Sequence, residues 1–93
     1  GEHVPKALDQ RRAARPDHVA RLKALQSEGR LILAGPFPAI DSPDPGPAGF
    51  SGSLIVADFA SQSDAQAWMA DDPYVTQGVF ARTTVRPFKQ TMP

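Results

Sequence analysis

The sequence contains no cysteine, and this absence excludes several kinds of chemistry. The chain can form no disulfide, no thiolate nucleophile and no cysteine-ligated metal site. With one Trp and one Tyr among 93 residues, it offers no aromatic platform for stacking single-stranded nucleic acid. No apolar run approaches the ~20 residues of a membrane-spanning helix. The lack of cysteine is compatible with a reducing cytoplasm, which is the location we expect.

An excess of charge of either sign is also absent. Ten Lys and Arg residues balance ten Asp and Glu residues, so the net charge gives no case for binding nucleic acid or an anionic membrane. The length predicts one small domain over residues 1–93. Because a chain of this size buries only about 60–65% of its unfolded surface, we expect it to pair with itself as a homodimer.

The order of predicted elements indicates an α+β fold. In chain order they are a helix over 16–28, a strand over 31–35, a proline-rich connection over 36–50, a strand over 51–59, a helix from 61 to about 70 and an alternating strand over 79–88. A ferredoxin-like βαββαβ topology fits this order if its first strand is missing from the sequence. The basic cluster over 11–15 is interpreted as a solvated loop or helical turn.

His18 is the most informative residue, because helical spacing places it on the same face as Leu22 and Leu25. A buried imidazole needs a polar partner, since an unpaired polar group away from water costs about 1–3 kcal/mol. Two interpretations remain open. His18 is either a structural core residue bonded to a backbone carbonyl or a residue that faces a pocket.

Asp72 is the second candidate, because it follows a predicted helix at the end where the helix dipole disfavours a carboxylate. It is either a turn former before Pro73 or a carboxylate that orients an imidazole. A His–Asp pair can perform general acid–base chemistry when its atoms lie about 2.6–3.2 Å apart.

His3, the other histidine, is expected to be exposed. No metal-ligand spacing and no glycine-rich phosphate loop occurs in the sequence, so we expect neither a metal nor a cofactor.

Several strings of this sequence, in their order and spacing, resemble the YCII-related (YciI-like) family. They are Arg15-Pro16-Asp17-His18, Glu28-Gly29-Arg30-Leu31, Ala34-Gly35-Pro36, Asp41-Ser42-Pro43-Asp44-Pro45-Gly46, Gly49-Phe50-Ser51-Gly52-Ser53, Asp71-Asp72-Pro73-Tyr74 and Val85-Arg86-Pro87-Phe88-Lys89. The resemblance implies a ferredoxin-like subunit that pairs as a dimeric α+β barrel. It also implies an active site with one histidine and one aspartate, which fall on His18 and Asp72. Dehydrochlorination of a chlorinated hydroxyquinol has been associated with this family.

Two functional hypotheses follow. In the first, the protein is a cofactor-free isomerase or lyase of the dehydrochlorinase type, acting on a small aromatic or oxygenated metabolite. His18 would be the general base or acid, Asp72 would fix its tautomer, and Gly35, Pro36 and Ser53 would line the pocket. In the second, the same pocket belongs to a non-catalytic ligand-binding or dimerisation module, since the fold alone does not decide between them.

Overall fold

The computed structural model describes residues 2–3 and 8–92, with side chains described over 11–92. The elements are β1 (Glu2–His3), α1 (Leu8–Ser27), β2 (Leu31–Pro38), β3 (Phe50–Ala57), α2 (Gln62–Ala70), α3 (Pro73–Thr76) and β4 (Phe80–Arg82). The strands form one sheet in the order β2-β3-β1-β4, and the paired strands are antiparallel. This βαββαβ order, with α3 as an added turn of helix, confirms the predicted ferredoxin-like α+β fold.

The place of the first strand is held by β1, which is only two residues long, so the expected absence of this strand is corrected to a short strand. Glu2 lies opposite Gly52 of β3 and Arg82 of β4, so β1 fills the central place in the sheet. Two residues are too few to show the alternation by which a strand is recognised in a sequence. The predicted exposure of the His3 side chain lies outside the described residues.

Helix α1 begins at Leu8, eight residues before the predicted start, and passes through Pro16. Pro16 was expected to open the helix because proline lacks an N–H and suits the first turn. Here the helix tolerates it in the interior, where it cannot donate the usual hydrogen bond. The predicted end is confirmed: Gly29 has φ of 71° and the Arg30 amide donates to the Leu25 carbonyl at 2.9 Å.

The proline-rich connection is shorter than predicted, because β2 continues through Pro36 to Pro38. β2 is an edge strand, where a missing amide donor can face away from the sheet. The Ala39 amide donates to the Gly49 carbonyl at 2.9 Å and closes the base of the loop. The loop therefore spans 39–49 and includes a 3₁₀ turn at Gly46–Ala48.

The second half of the chain follows the prediction at α2 and departs from it at β4. The Ser61 hydroxyl accepts from the Asp64 amide at 3.1 Å, which confirms the predicted helix start. β4 covers only Phe80–Arg82, whereas the predicted strand ran over 79–88. Val79 and Phe80 are both buried, so alternation does not hold at the start of this segment.

The two faces of the sheet have different surroundings. The pairs Ala34 with Ile55 and Pro36 with Ser53 share the face that meets α1. On the opposite face Leu33, Phe37 and Leu54 are each between 45% and 49% exposed. Helix α1, α3 and the start of β4 enclose a small core made of Ala14, Tyr74, Val79 and Phe80. Within the described residues, no helix is both long and apolar enough to cross a membrane.

Candidate active site

The structure brings His18 and Asp72 into direct contact. His18 Nδ1 lies 2.7 Å from Asp72 Oδ2, and the two residues are 5% and 0% exposed. His18 is carried by the middle of α1, whereas Asp72 lies at the junction of α2 and α3, 54 positions later in the chain. The 2.7 Å distance between Nδ1 and Oδ2 falls within the range needed for proton transfer or tautomer control.

Asp72 caps the start of α3, and this explains how a buried carboxylate is tolerated there. Its Oδ2 atom accepts from the Tyr74 amide at 3.0 Å, at the helix end that favours negative charge. The expectation that Asp72 faces an unfavourable dipole is therefore wrong, since α3 follows α2 directly. Asp71, not Asp72, caps the C-terminus of α2.

Arg21 forms an ion pair with the same carboxylate. Its Nη1 atom donates to Asp72 Oδ1 at 3.0 Å, and its Nη2 atom donates to the Trp68 carbonyl at 2.8 Å. Burial would raise the pKa of Asp72. The hydrogen bonds from His18 and the Tyr74 amide, together with the nearby charges, outweigh burial and hold this pKa below its ordinary value. Asp72 is therefore held as a carboxylate.

Tyr74 fixes the plane of the imidazole. The two rings are stacked, with centroids 3.8 Å apart and planes 9° from parallel. Tyr74 is itself buried and meets Phe80 edge-on at a centroid distance of 5.3 Å. Burial raises the pKa of the Tyr74 phenol, so at neutral pH it remains uncharged. His18 is thus held in position by Asp72 at one edge and by Tyr74 against one face.

One cavity contains His18 and all three residues predicted to line the pocket. Its volume is about 150 Å³, and its lining consists of Arg11, Arg15, His18, Leu22, Ala34, Gly35, Pro36, Ser53, Leu54 and Ile55. Asp72 is not part of this lining. Because Asp72 occupies Nδ1, the imidazole has Nε2, on the far side of the ring, available for a ligand.

The three predicted lining residues contribute in different ways. Pro36 and Ser53 pair across β2 and β3, so their side chains lie on the face that meets α1. Gly35 lies opposite Leu54, and a Cβ added at Gly35 would meet nothing within 4 Å. Because glycine has no side chain, Gly35 borders the cavity through its main chain. Among the described residues, no group of three or more His, Cys, Asp or Glu could hold a metal ion.

Sequence reasoning missed the arginines at this site. Arg11 and Arg15 were interpreted as part of a solvated face, but both line the cavity with His18 and Leu22. The spacing 11, 15, 18, 22 is that of one helix face. The signal was hidden because the helix was predicted to begin at Pro16. Arg21 follows His18 by three positions, a helical spacing that could have indicated a shared partner.

Comparisons with known proteins match nearly the whole chain. The YCII-related domain family matches residues 1–89. Protein YciI of Escherichia coli O6:H1 is 54% identical over 84 residues, which cover 90% of this chain and 86% of that protein. A Haemophilus influenzae protein is 49% identical over 89 residues, covering 96% and 91% of the two chains.

A solved structure has the same fold at lower sequence identity. It is 5-chloro-2-hydroxyhydroquinone dehydrochlorinase (TftG) from Burkholderia phenoliruptrix AC1100, in complex with 2,5-dihydroxybenzoquinone. The TM-score is 0.81 at 23% identity, and the match covers 95% of this chain and 87% of that chain. At this identity the likeness shows the fold.

Proposed function

The chain belongs to the YCII-related family, and we propose that it is a small cofactor-free enzyme, an isomerase or a lyase. In this proposal His18 and Asp72 form a general acid–base pair that acts on a small oxygenated ring compound. The observation that carries the proposal is the buried 2.7 Å contact between these residues, with the imidazole forming part of a cavity wall. Such a pair typically contributes about 10²–10⁴-fold to a rate.

Each group has a definite role in the proton transfer. Asp72 accepts the Nδ1–H of His18, which leaves Nε2 unprotonated and able to remove a proton from the substrate. When Nε2 takes that proton, the carboxylate stabilises the imidazolium. Arg21 and the Tyr74 amide keep Asp72 ionised and stationary throughout. The stacked Tyr74 ring keeps Nε2 aimed at one place.

Two reactions use this proton transfer. In an elimination from the keto tautomer of a chlorinated hydroxyquinol, in which the C–Cl carbon is tetrahedral, Nε2 removes the proton of a ring hydroxyl. The O–H electrons form a quinone carbonyl, the adjacent double bond shifts toward the C–Cl carbon, and the C–Cl bond breaks to release chloride. In an isomerisation, the imidazolium returns the proton to a different carbon of the same substrate. The dehydrochlorinase named above, which has this fold, supports elimination as the first reaction to test.

The dimensions of the cavity favour a single ring. A volume of about 150 Å³ is comparable to that of an engineered cavity known to bind benzene. Apolar side chains such as Leu22 and Ile55 line part of it, whereas His18, Arg11 and Arg15 supply polar groups. This combination suits a planar ring with oxygen substituents.

We also propose that the protein acts as a homodimer through the sheet face opposite α1. Leu33, Phe37 and Leu54 lie together on this face and are nearly half exposed, which leaves a contiguous apolar surface. Packing two such faces together would form the dimeric α+β barrel and enlarge a small core. The cytoplasm remains the predicted location.

Turnover tests the proposal. The purified protein is incubated with 5-chloro-2-hydroxyhydroquinone and with other small hydroxylated ring compounds in D₂O, and chloride release and deuterium incorporation are measured. We expect turnover that falls by about 10²–10⁴-fold in His18→Gln and is unchanged in Asp71→Asn, an exposed neighbour of Asp72. A compound that binds without chemical change would favour a ligand-binding module, and turnover unaffected by His18→Gln would contradict the proposal.

A further inference from the structure

Two arginines give the cavity beside His18 a positively charged lining. Arg11, Arg15 and His18 all border it, at spacings of four and three residues along α1. Among the described residues that line the cavity there is no Asp or Glu. The nearest carboxylate to the imidazole, Asp72, lies at its Nδ1 edge and is bound by Arg21 and by the Tyr74 amide.

The two arginines lie close enough to affect one another. Burial is the main cause that lowers the pKa of Arg11, and the charge of Arg15 lowers it further, against an opposing contribution from Tyr74. Two like charges at one cavity repel one another. An oxyanion in the cavity would interact favourably with both guanidinium groups.

Aromatic contacts hold Arg11 in place. Its guanidinium carbon lies 5.1 Å from the Phe50 ring centroid and 5.0 Å from that of Tyr74. Tyr74 also stacks on His18, so the same ring orders a guanidinium and the imidazole. Arg15 is exposed and also borders the cavity. The guanidinium fork matches the two oxygens of a carboxylate, and its N–H groups can also donate to the single oxygen of an ionised hydroxyl.

We propose that the substrate is an anion, a single-ring compound whose carboxylate or ionised ring hydroxyl is bound by Arg15 and Arg11 while the ring lies beside His18. This inference rests on the proposed function, since it names the substrate class of the same cavity. The guanidinium groups would have a second effect on the chemistry. Removal of a proton from carbon by Nε2 places negative charge on a conjugated substrate oxygen, and nearby cations stabilise that charge.

Binding of two matched probes tests the charge requirement without turnover. Benzoate and benzamide have nearly the same shape and differ in charge, and their affinities are measured by NMR titration at low ionic strength. We expect benzoate to bind at least about tenfold more tightly than benzamide, the factor expected of one charge-assisted hydrogen bond. We also expect this advantage to shrink when salt is added.

Three arginine variants assign the effect to the cavity. Arg15→Gln should lower benzoate affinity several-fold and leave benzamide affinity unchanged, whereas Arg15→Lys should retain most of the preference. Arg12→Gln is the matched control, because Arg12 is an exposed residue of the same helix and does not line the cavity. Equal affinities for the two probes, no benzoate binding at millimolar concentration, or an equal loss in Arg12→Gln would overturn the inference.

The binding result is independent of catalysis. If benzoate is preferred through Arg15 but no ring compound is turned over, the substrate class becomes a ligand class and the proposed enzyme activity fails alone. If turnover is found with neutral substrates and persists in Arg15→Gln, the anion requirement fails while the acid–base pair stands.

Discussion

Replacing Asp72 with alanine should destabilise the protein strongly, because three donors converge on its carboxylate. His18 Nδ1, Arg21 Nη1 and the Tyr74 amide all lie within 2.7–3.0 Å of its oxygens, and Asp72 is fully buried. Removing one partner of a buried ion pair typically costs about 3–5 kcal/mol. A domain of this size has a free energy of unfolding of about 5–15 kcal/mol. The loss is therefore a large fraction of the total.

The assay is urea unfolding followed by circular dichroism, at one fixed protomer concentration because pairing would add to the apparent stability. We expect Asp72→Ala to lose about 3–5 kcal/mol. Asp72→Asn should lose less, since its remaining oxygen can still accept a hydrogen bond. Asp71→Ala is the control and should change stability by no more than about 0.5 kcal/mol. A loss below about 1 kcal/mol in Asp72→Ala would refute the argument that this carboxylate organises the site.

Three further predictions concern acid stability, the tyrosine and the dimer. The pKa of Asp72 in the folded protein lies below 3.8, so the contribution of Asp72 to stability should be complete above about pH 5 and be lost as the pH falls through the folded pKa. The difference in the free energy of unfolding between wild type and Asp72→Asn should therefore narrow at low pH. A difference that stays constant with pH would contradict this. Tyr74 is the only tyrosine, and burial raises its pKa above 10.0, so ultraviolet titration should show ionisation at higher pH in the folded chain than in urea. Leu33→Lys should shift the protein from dimer to monomer in sedimentation analysis, whereas Gln66→Lys, an exposed change on α2, should not; a dimer that persists in Leu33→Lys would count against the sheet face.

The fold could be predicted from the sequence where local signals are strong. Gly29 after a leucine-bearing helix and Ser61 three positions before Asp64 marked helix ends that the structure confirms. β1 could not be found, because a two-residue strand is defined by its partners in β3 and β4 and has no pattern of its own. The start of α1 was predicted wrongly at Pro16, because tertiary packing overrides the local preference of a single residue.

The site could be predicted in part. The positions of His18 and Asp72 were suggestive, and the structure brings them together over 54 positions of sequence. The burial of Asp72 could not be predicted from composition. It depends on the one-turn helix α3, whose start Asp72 caps, and on Arg21, which lies on α1 and contacts the carboxylate. Arg15 was concealed by the misplaced start of α1. Long-range partners of a charged residue are set by packing, which no local pattern encodes.

The most direct test of the central claim is the tautomer of His18, measured by ¹⁵N NMR at a pH where the imidazole is neutral, with His3→Gln used for assignment. If Asp72 accepts from Nδ1, the proton lies on Nδ1 and Nε2 is unprotonated, and this preference weakens in Asp72→Asn. Addition of benzoate should then shift the Nε2 resonance more than the Nδ1 resonance. A proton on Nε2 in the wild type, or the same tautomer ratio in Asp72→Asn, would contradict the account.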